Sequence, residues 1–576
     1  MTAEAFDSLD SARDFYMQQL QSPTDRVNSL FQLALIESQS HNYIAAIERL
    51  TELLTIDDQH VDALCLLGKT CATVKRYDEA VISYSAALHE DSSRLEIWGD
   101  LCDVLLANGN VAAAIEVKDQ TLELANFTTA IFCNLGDIFL NRDFSVEAIE
   151  IFKQGLERAP NHSSLLLNLG LAYSELNNFS EAAACYLKVI EIAPENPNAY
   201  NNYAVLLKQN LQFTTAETVL KKALTINPQH SLLNYHYADI LNNLGRYAES
   251  VTYYHLVIAA NPTFVEAHYG LAYSLLTLGN FKEGWQEYNW RNVDYAIARY
   301  KESYNTTRLW QGEHLADQSL VIQADQGFGD TIQFVRYIQY LSRYQPKKIY
   351  LAVTEQIRDL LKYVKGIDGI FSDYSDLPVH DCYVPLLSIP GILQTTFEEI
   401  PNTVPYLRLD PKLSERWKNK LCSYTDKKVG KKIGLVWQGH NKNLRDTRRS
   451  IPFEKLAPLL ALSSITFFSL QKDCRVATEY QAHIVDLSEQ LTTFSETAAI
   501  IQQLDLVITV CTSIAHLAGA LGKPVWIMLA HNADWRWFTA DRNDSPWYPT
   551  ATLFRQADFG DWDSVITQIE QAIALL

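Results

Sequence analysis

NHSSLLLNLGLAYSELNNFSEAAACYLKVIEIAP, residues 161–194, is one unit of a 34-residue period that fills the first half of the chain. It carries a small residue at Gly170, another at Ala182, a ring at Tyr186 and a closing Pro194. Each position recurs at the same step. Pro160, Pro194, Pro228 and Pro262 form one ladder; Ala34, Gly68, Cys102, Gly136, Gly170, Ala204, Ala238 and Ala272 form a second. A third runs Ala46, Ala80, Ala114, Ala148, Ala182, Ala216, Ser250, Gly284, and a fourth holds Tyr84, Phe152, Tyr186, Tyr254 and Tyr288. Small residues recur where two antiparallel helices must approach closely, a ring fills the space beside them, and proline stops the second helix. The period predicts an α-solenoid of eight helix pairs over residues 27–298, preceded by a helix within 1–26.

This pattern resembles the tetratricopeptide repeat. Such arrays stack into a superhelix whose concave wall is lined by the first helix of each unit. On that wall Asn134, Asn168 and Asn202 fall two positions before the small residue of consecutive units, with His236 next. A carboxamide both donates and accepts, so a row of them suits the main chain of a client peptide. The row resembles the asparagine ladder of eukaryotic-type protein O-GlcNAc transferase, although Leu66, Asp100 and Gly270 hold the same slot elsewhere. The competing reading is a set of solvated surface amides.

Composition narrows the field around this array. The 576 residues are 48% hydrophobic and 20% charged, as expected of a folded chain. A net charge of -20 removes any chain-wide basic footprint for nucleic acid. Of the 48 basic and 68 acidic residues, the first 298 positions hold 18 and 37, so the two halves are expected to do different work. Nine cysteines without a C-x-x-C pair read as reduced thiols. Without a signal-like start or an 18-residue apolar run, the expectation is a cytoplasmic protein with no membrane span.

After Trp290 the period is lost and strand-like runs alternate with helical ones, which predicts parallel sheets covered on both faces. Two such runs divide the region into lobes at 299–425 and 430–576. Ligands on such sheets bind at loops beyond the carboxyl ends of the strands, and four loops there are chemically distinctive. In DQGFGD, read as a loop over Asp325–Asp330, Gly327 and Gly329 allow close approach, and Asp330 suits capping the next helix or taking a proton from a hydroxyl. In VWQGHNKNLRDTRRS, Trp437 and Gly439 precede Lys442, Arg445, Arg448, Arg449 and Ser450, a set able to clamp a diphosphate. In TVCTSIAHLAGALGKPVW, Thr512 and Ser513 sit at a strand-to-helix turn and His516 one turn on. Gln471, in SLQKD, could hydrogen-bond a base or ribose. Each has a plainer reading: a helix cap, a solvated basic loop, a packed histidine.

These loops, with the tail DWRWFTADRNDSPWYPTATLFRQ, resemble the glycosyltransferase family 9-type domain of heptosyltransferase relatives, in the branch fused to tetratricopeptide repeats. The layout is also similar to bacterial flagellin glycosyltransferases. The resemblance implies an α/β GT-B fold of two Rossmann-like lobes, with the nucleotide-sugar donor held mainly by the C-terminal lobe. It implies no metal and no cofactor, the nucleotide-sugar being a co-substrate. Asp330 matches the catalytic base; Thr512, Ser513 and His516 match the donor-phosphate loop, and Lys442 lies near a phosphate-binding lysine. One position departs: Cys511 stands where many relatives carry Asp. The expected function is metal-independent transfer of a sugar to Ser or Thr hydroxyls of a protein held by the repeats. The alternatives are a non-enzymatic scaffold with a degenerate sugar-nucleotide domain, favoured by Cys511, and a glycan-directed transferase. Asp561-Trp-Asp563 mimics a metal-binding D-x-D but reads as the cap of a final helix. Trp535, Trp537, Trp547 and Tyr548 suit either ligand stacking or packing of one lobe on the other.

Overall fold

The computed structural model describes residues 8–22, 24–123, 129–291, 307–424, 430–439, 446–472 and 474–576. Behind a first helix, Leu9–Gln19, eight helix pairs follow the 34-residue step, from Arg26–Gln39 with Tyr43–Leu54 to Val265–Thr277 with Phe281–Tyr288. The ladders have a steric cause. A Cβ on Gly136 would lie 2.1 Å from the Phe152 ring, and one on Gly170 would lie 2.5 Å from Tyr186. The ring of each second helix thus occupies the space that a side chain on the first would need. Where the ring is replaced by Lys118, the lysine is buried and pairs with Asp119 at 2.9 Å.

The chain forms two compact units, Met1–Asn227 and Pro228–Leu576. The division falls inside the repeat array, so the last two helix pairs share a unit with everything that follows. The first unit holds the six earlier pairs, three of them closed by a ring (Tyr84, Phe152 and Tyr186) and the others by Leu50, Lys118 and Leu220.

The second unit contains two fully parallel sheets. The first has β1 (Arg308–Leu309), β2 (Ser319–Gln323), β3 (Lys348–Ala352), β4 (Gly369–Phe371) and β5 (Cys382–Pro385), in the order β1-β5-β2-β3-β4. The second has β6 (Lys431–Val436), β7 (Ile465–Ser469), β8 (Ile484–Asp486), β9 (Leu506–Val510), β10 (Val525–Leu529) and β11 (Ala551–Arg555). Its order, β11-β10-β9-β6-β7-β8, is the doubly wound arrangement in which the winding reverses beside the first strand. Strands β2 and β9 are buried almost end to end, as strands covered on both faces must be.

An aromatic core joins these parts. Trp285 and Tyr288 of the last repeat pack on Trp535 at 5.5 and 5.9 Å, and Phe334 meets Trp547 at 5.8 Å. Trp535, Trp537, Trp547 and Tyr548 are all essentially without solvent exposure, so packing rather than an open stacking platform accounts for them. The Asp561 carboxylate accepts the Ser564 N–H at 3.1 Å, capping the final helix, Trp562–Ile573. Among the described residues no helix is long and apolar enough to cross a membrane.

One local expectation needs correcting. The helix after β2 begins at Phe328 rather than beyond Asp330, because Gly327 serves as its cap and the Asp330 carboxylate accepts the Gly327 N–H at 3.0 Å. The segment from Val335 to Tyr344 then tightens into a 3₁₀ helix.

Candidate functional site

The winding of the second sheet reverses between β6 and β9, which pair directly. The loops leaving these two strands carry most of the distinctive sequence, and they meet. Arg449 Nη1 donates to the Cys511 carbonyl at 2.8 Å. Ser450 Oγ accepts the Gly439 N–H at 3.2 Å, and Ile451 donates to the Trp437 carbonyl at 2.8 Å, folding the loop back on its strand. Trp437 is buried against Phe453. Gln471 Oε1 accepts the N–H groups of Trp437 and Gln438 at 3.3 and 3.2 Å, so this carbonyl oxygen braces the start of the loop. Lys442 and Arg445 lie outside the described residues.

Thr512 caps the helix Ser513–Ala520 by accepting the Ile514 N–H at 3.3 Å, which consumes part of that terminus's hydrogen-bonding capacity. Further along, a Cβ on Gly519 would come within 2.4 Å of Tyr548, and Gly522 has φ +69°: helix packing and helix stop respectively. The glycine turn of the first lobe abuts this same helix. A Cβ on Gly329 would lie 2.9 Å from His516 Cδ2 and 3.5 Å from Ser513 Cα. Glycine is therefore what lets Asp330 and the 512–516 turn share one small volume.

Asp330 is not solitary there. Its Oδ1 accepts from Arg536 Nη2 at 2.5 Å while Oδ2 holds the Gly327 N–H. Arg536 also bonds Asp534 at 2.8 Å and Gln333 Oε1 at 2.9 Å. Burial pushes the Asp330 carboxyl above its ordinary range, and Arg536 opposes that rise without cancelling it. The carboxyl is thereby oriented on two sides and made a stronger proton acceptor than a surface aspartate. Among the rings of the DWRW tail, Arg536 carries no signal in sequence that marks it as a partner of Asp330.

His516 is buried, stacked on Trp537 at 5.3 Å, with Nδ1 3.0 Å from the Tyr548 hydroxyl. Burial first, and Arg536 second, lower its pKa from 6.5 to about 3, so the ring is neutral at ordinary pH. Such a group contributes stability in full above pH 6.5 and loses it as pH falls towards 3. In that window the unaltered protein is expected to lose up to about 1.4 kcal/mol per pH unit through this residue. Urea melts of His516→Gln against the unaltered chain should show a shallower acid slope; equal slopes would remove His516 as the cause. Cys511 is a half-buried thiol pushed up to about 11 by the desolvation of its surroundings, and its sulfur accepts from Trp537 Nε1 at 3.0 Å.

In the first sheet the winding reverses between β2 and β5, and that crevice is already filled. Arg291, just past the last repeat helix, places Nε and Nη2 on Asp325 Oδ2 at 3.1 and 2.9 Å and Nη2 on Ser388 Oγ at 3.1 Å. Asp325 Oδ1 accepts the Leu387 N–H at 3.2 Å. Neither Arg291 nor Asp325 was singled out from sequence.

In the first unit, Asn134 is exposed, Asn168 Nδ2 donates to Asp137 Oδ1 at 2.5 Å, and Asn202 Oδ1 accepts from Asn201 at 3.3 Å. The Asn168 amide nitrogen is thus held by the preceding helix pair. Arg448, in the second unit, donates to Asn243 of the seventh pair at 3.1 Å.

Comparison with known proteins bears on the array. Profiles described as "Tetratricopeptide repeat" match residues 163–196, 185–218, 204–263 and 238–289. Protein FlbA of Caulobacter vibrioides is 23% identical over 319 residues, covering 50% of this chain and 52% of its own length. The chain thus spans about half the length of that curated relative. Among solved structures, a tetratricopeptide repeat protein of Parabacteroides merdae has a TM-score of 0.33 at 16% identity, covering 48% of this chain and 96% of its own. YrrB, titled a TPR protein with an unusual peptide-binding site, has a TM-score of 0.24 at 19% identity, over 32% and 96%. Helix pairs, ladders and profile matches together identify this chain as one that contains tetratricopeptide repeats, followed by a region of parallel sheets.

Proposed function

We propose that the chain is a glycosyltransferase of GT-B type that moves a sugar from a nucleotide-sugar to Ser or Thr hydroxyls of a protein bound by its repeats. The observation that carries this reading is the meeting of the Gly327–Asp330 turn with the Thr512–His516 turn at the carboxyl ends of two parallel sheets. Leaving-group charge grows on the donor phosphate in the transition state. Arg448, Arg449 and the amino end of the Ser513–Ala520 helix supply positive potential beside it. Lys442, on the same loop, is a further candidate. Gly327, Gly329, Trp437, Gly439, Ser450 and Gln471 shape or brace the donor loops. Asp330 would take the acceptor proton, Arg536 and Gly327 fixing the direction in which its carboxylate faces. The chemistry needs no metal in this scheme, since fixed cations take that role. Clients gripped through Asn134, Asn168 and Asn202 are tethered to the chain that carries the cleft, which raises their effective concentration.

Calorimetry of the full chain against UDP-, GDP-, ADP- and CMP-sugars tests the donor half of this reading. One class is expected to bind. A scaffold with a degenerate domain, the reading that Cys511 favours, would bind none. Intact-mass analysis of co-expressed proteins tests the acceptor half, a sugar-sized increment on a protein being expected rather than on a glycan.

A further inference from the structure

The seventh helix pair does more than continue the array. Asn243 sits in the last turn of Ser231–Asn243 and is buried. Its Nδ2 is committed to the Asp239 carbonyl at 2.7 Å, which fixes the carboxamide and aims Oδ1 at the α/β region. That single oxygen accepts from Arg448 Nη1 at 3.1 Å and from Asn532 Nδ2 at 3.2 Å. Arg448 belongs to the loop after β6, and Asn532 to the loop after β10. The second loop is pinned twice more from the repeats: Tyr247 Oη donates to Asn532 Oδ1 at 3.2 Å, and Tyr273 Oη donates to the Ala533 carbonyl at 2.7 Å. The next residue, Asp534, holds Arg536, which holds Asp330.

We infer that Asn243 is a positioning residue of the donor site: it orients Arg448 towards the nucleotide diphosphate, so that repeat seven sets donor affinity. This rests on the glycosyltransferase reading. An arginine on a four-residue helical turn, Asp446–Arg449, has many rotamers, and ordering them before the ligand arrives lowers the entropic cost of binding. An oxygen locked by its own amide nitrogen is well suited to that task. The dependence runs both ways by linkage: whatever displaces the seventh helix pair changes the donor site, and donor binding stiffens that pair.

The test uses the full chain and four probes, UDP, GDP, ADP and CMP, titrated calorimetrically. The nucleotide that binds the unaltered protein is then titrated into Asn243→Leu, Arg448→Ala and the double variant. Asn243→Leu is expected to weaken binding by about tenfold. Because Asn243 acts through Arg448, the double variant should bind no more weakly than Arg448→Ala alone. A general loss of structure would instead multiply the two effects. Thermal melts of all four proteins establish that they are folded. Unchanged affinity in Asn243→Leu, or multiplied losses in the double variant, overturns the inference and leaves the glycosyltransferase reading standing. An unaltered protein that binds none of the four probes overturns both.

Discussion

An Asp330→Asn protein should lose about 10²–10⁴-fold in transfer rate while remaining folded, with only a modest fall in melting temperature. The two expectations separate because the substitution removes charge and basicity but only one of two accepted hydrogen bonds. Asparagine is nearly the same shape, and its carbonyl oxygen can still accept the Gly327 N–H that caps the helix, its amide nitrogen then facing Arg536. Arg536 keeps its bond to Asp534 at 2.8 Å, so no buried cation is stranded. What disappears is an acceptor for the proton of the attacking hydroxyl. The pH profile sharpens the test. Burial raises the Asp330 carboxyl above the ordinary 3.8, so kcat/KM of the unaltered enzyme should fall on the acid side at a pH above that value. Arg536→Met removes the cation that opposes the rise and should move this limb to still higher pH. In Asp330→Asn the limb should vanish. Full turnover in that variant would exclude Asp330 as the base.

Arg291→Ala should cost about 3–5 kcal/mol of stability in the second unit, read from urea midpoints. Arg291 and Asp325 are ion-paired with side chains only 4% and 5% exposed, so water cannot compensate the carboxylate once the guanidinium is gone. The Leu387 N–H remains on Asp325 but cannot neutralise it. Arg291→Lys should recover only part of the loss, because an ammonium cannot reproduce the fork that reaches Asp325 and Ser388 together. Replacing both charged partners, Arg291→Met with Asp325→Leu, should recover more than either single variant. A loss below about 1 kcal/mol in Arg291→Ala would mean that the pair is solvated and that the crevice between β2 and β5 is open.

Much of this architecture can be read from residue order. The 34-step ladders anticipate the helix pairs because each rung reports a local contact, such as Gly136 against Phe152, that any tetratricopeptide unit must make. In the second region, β2 to β4 and β6 to β10 announce themselves as apolar runs followed by glycine or polar turns. Three strands do not: β1 has two residues, β5 has four and ends on Pro385, and β11 lies in a tail whose aromatic residues draw the eye. The strand-end loops were legible because chemistry concentrates there on parallel sheets. The buried arginines were not. Nothing in sequence separates Arg291 or Arg536 from surface arginines, and the carboxylates they hold, Asp325 and Asp330, lie 34 and 206 residues away. Asn243 was hidden for the opposite reason, since it occupies an ordinary position of an ordinary repeat. Asp330 reads as a loop residue because a glycine cap leaves no side-chain signature of its own.

The division at Asn227 and Pro228 has an evolutionary consequence. Repeat arrays lengthen and shorten by whole units, because each contacts only its neighbours. Upstream of Pro228 that freedom is intact: a duplication or deletion there would leave Trp285, Arg291, Tyr273 and Asn243 with their contacts to Trp535, Asp325, Ala533 and Arg448. Downstream it is gone: losing the last copy would remove Phe281, Trp285 and Tyr288 from the core they share with the sheets, and losing the seventh would remove Asn243 and Tyr247 from Asn532 in the loop after β10. Lineages carrying this protein should therefore vary in repeat number only on the amino-terminal side, with the final two copies diverging from their siblings as fixed members of the domain they adjoin.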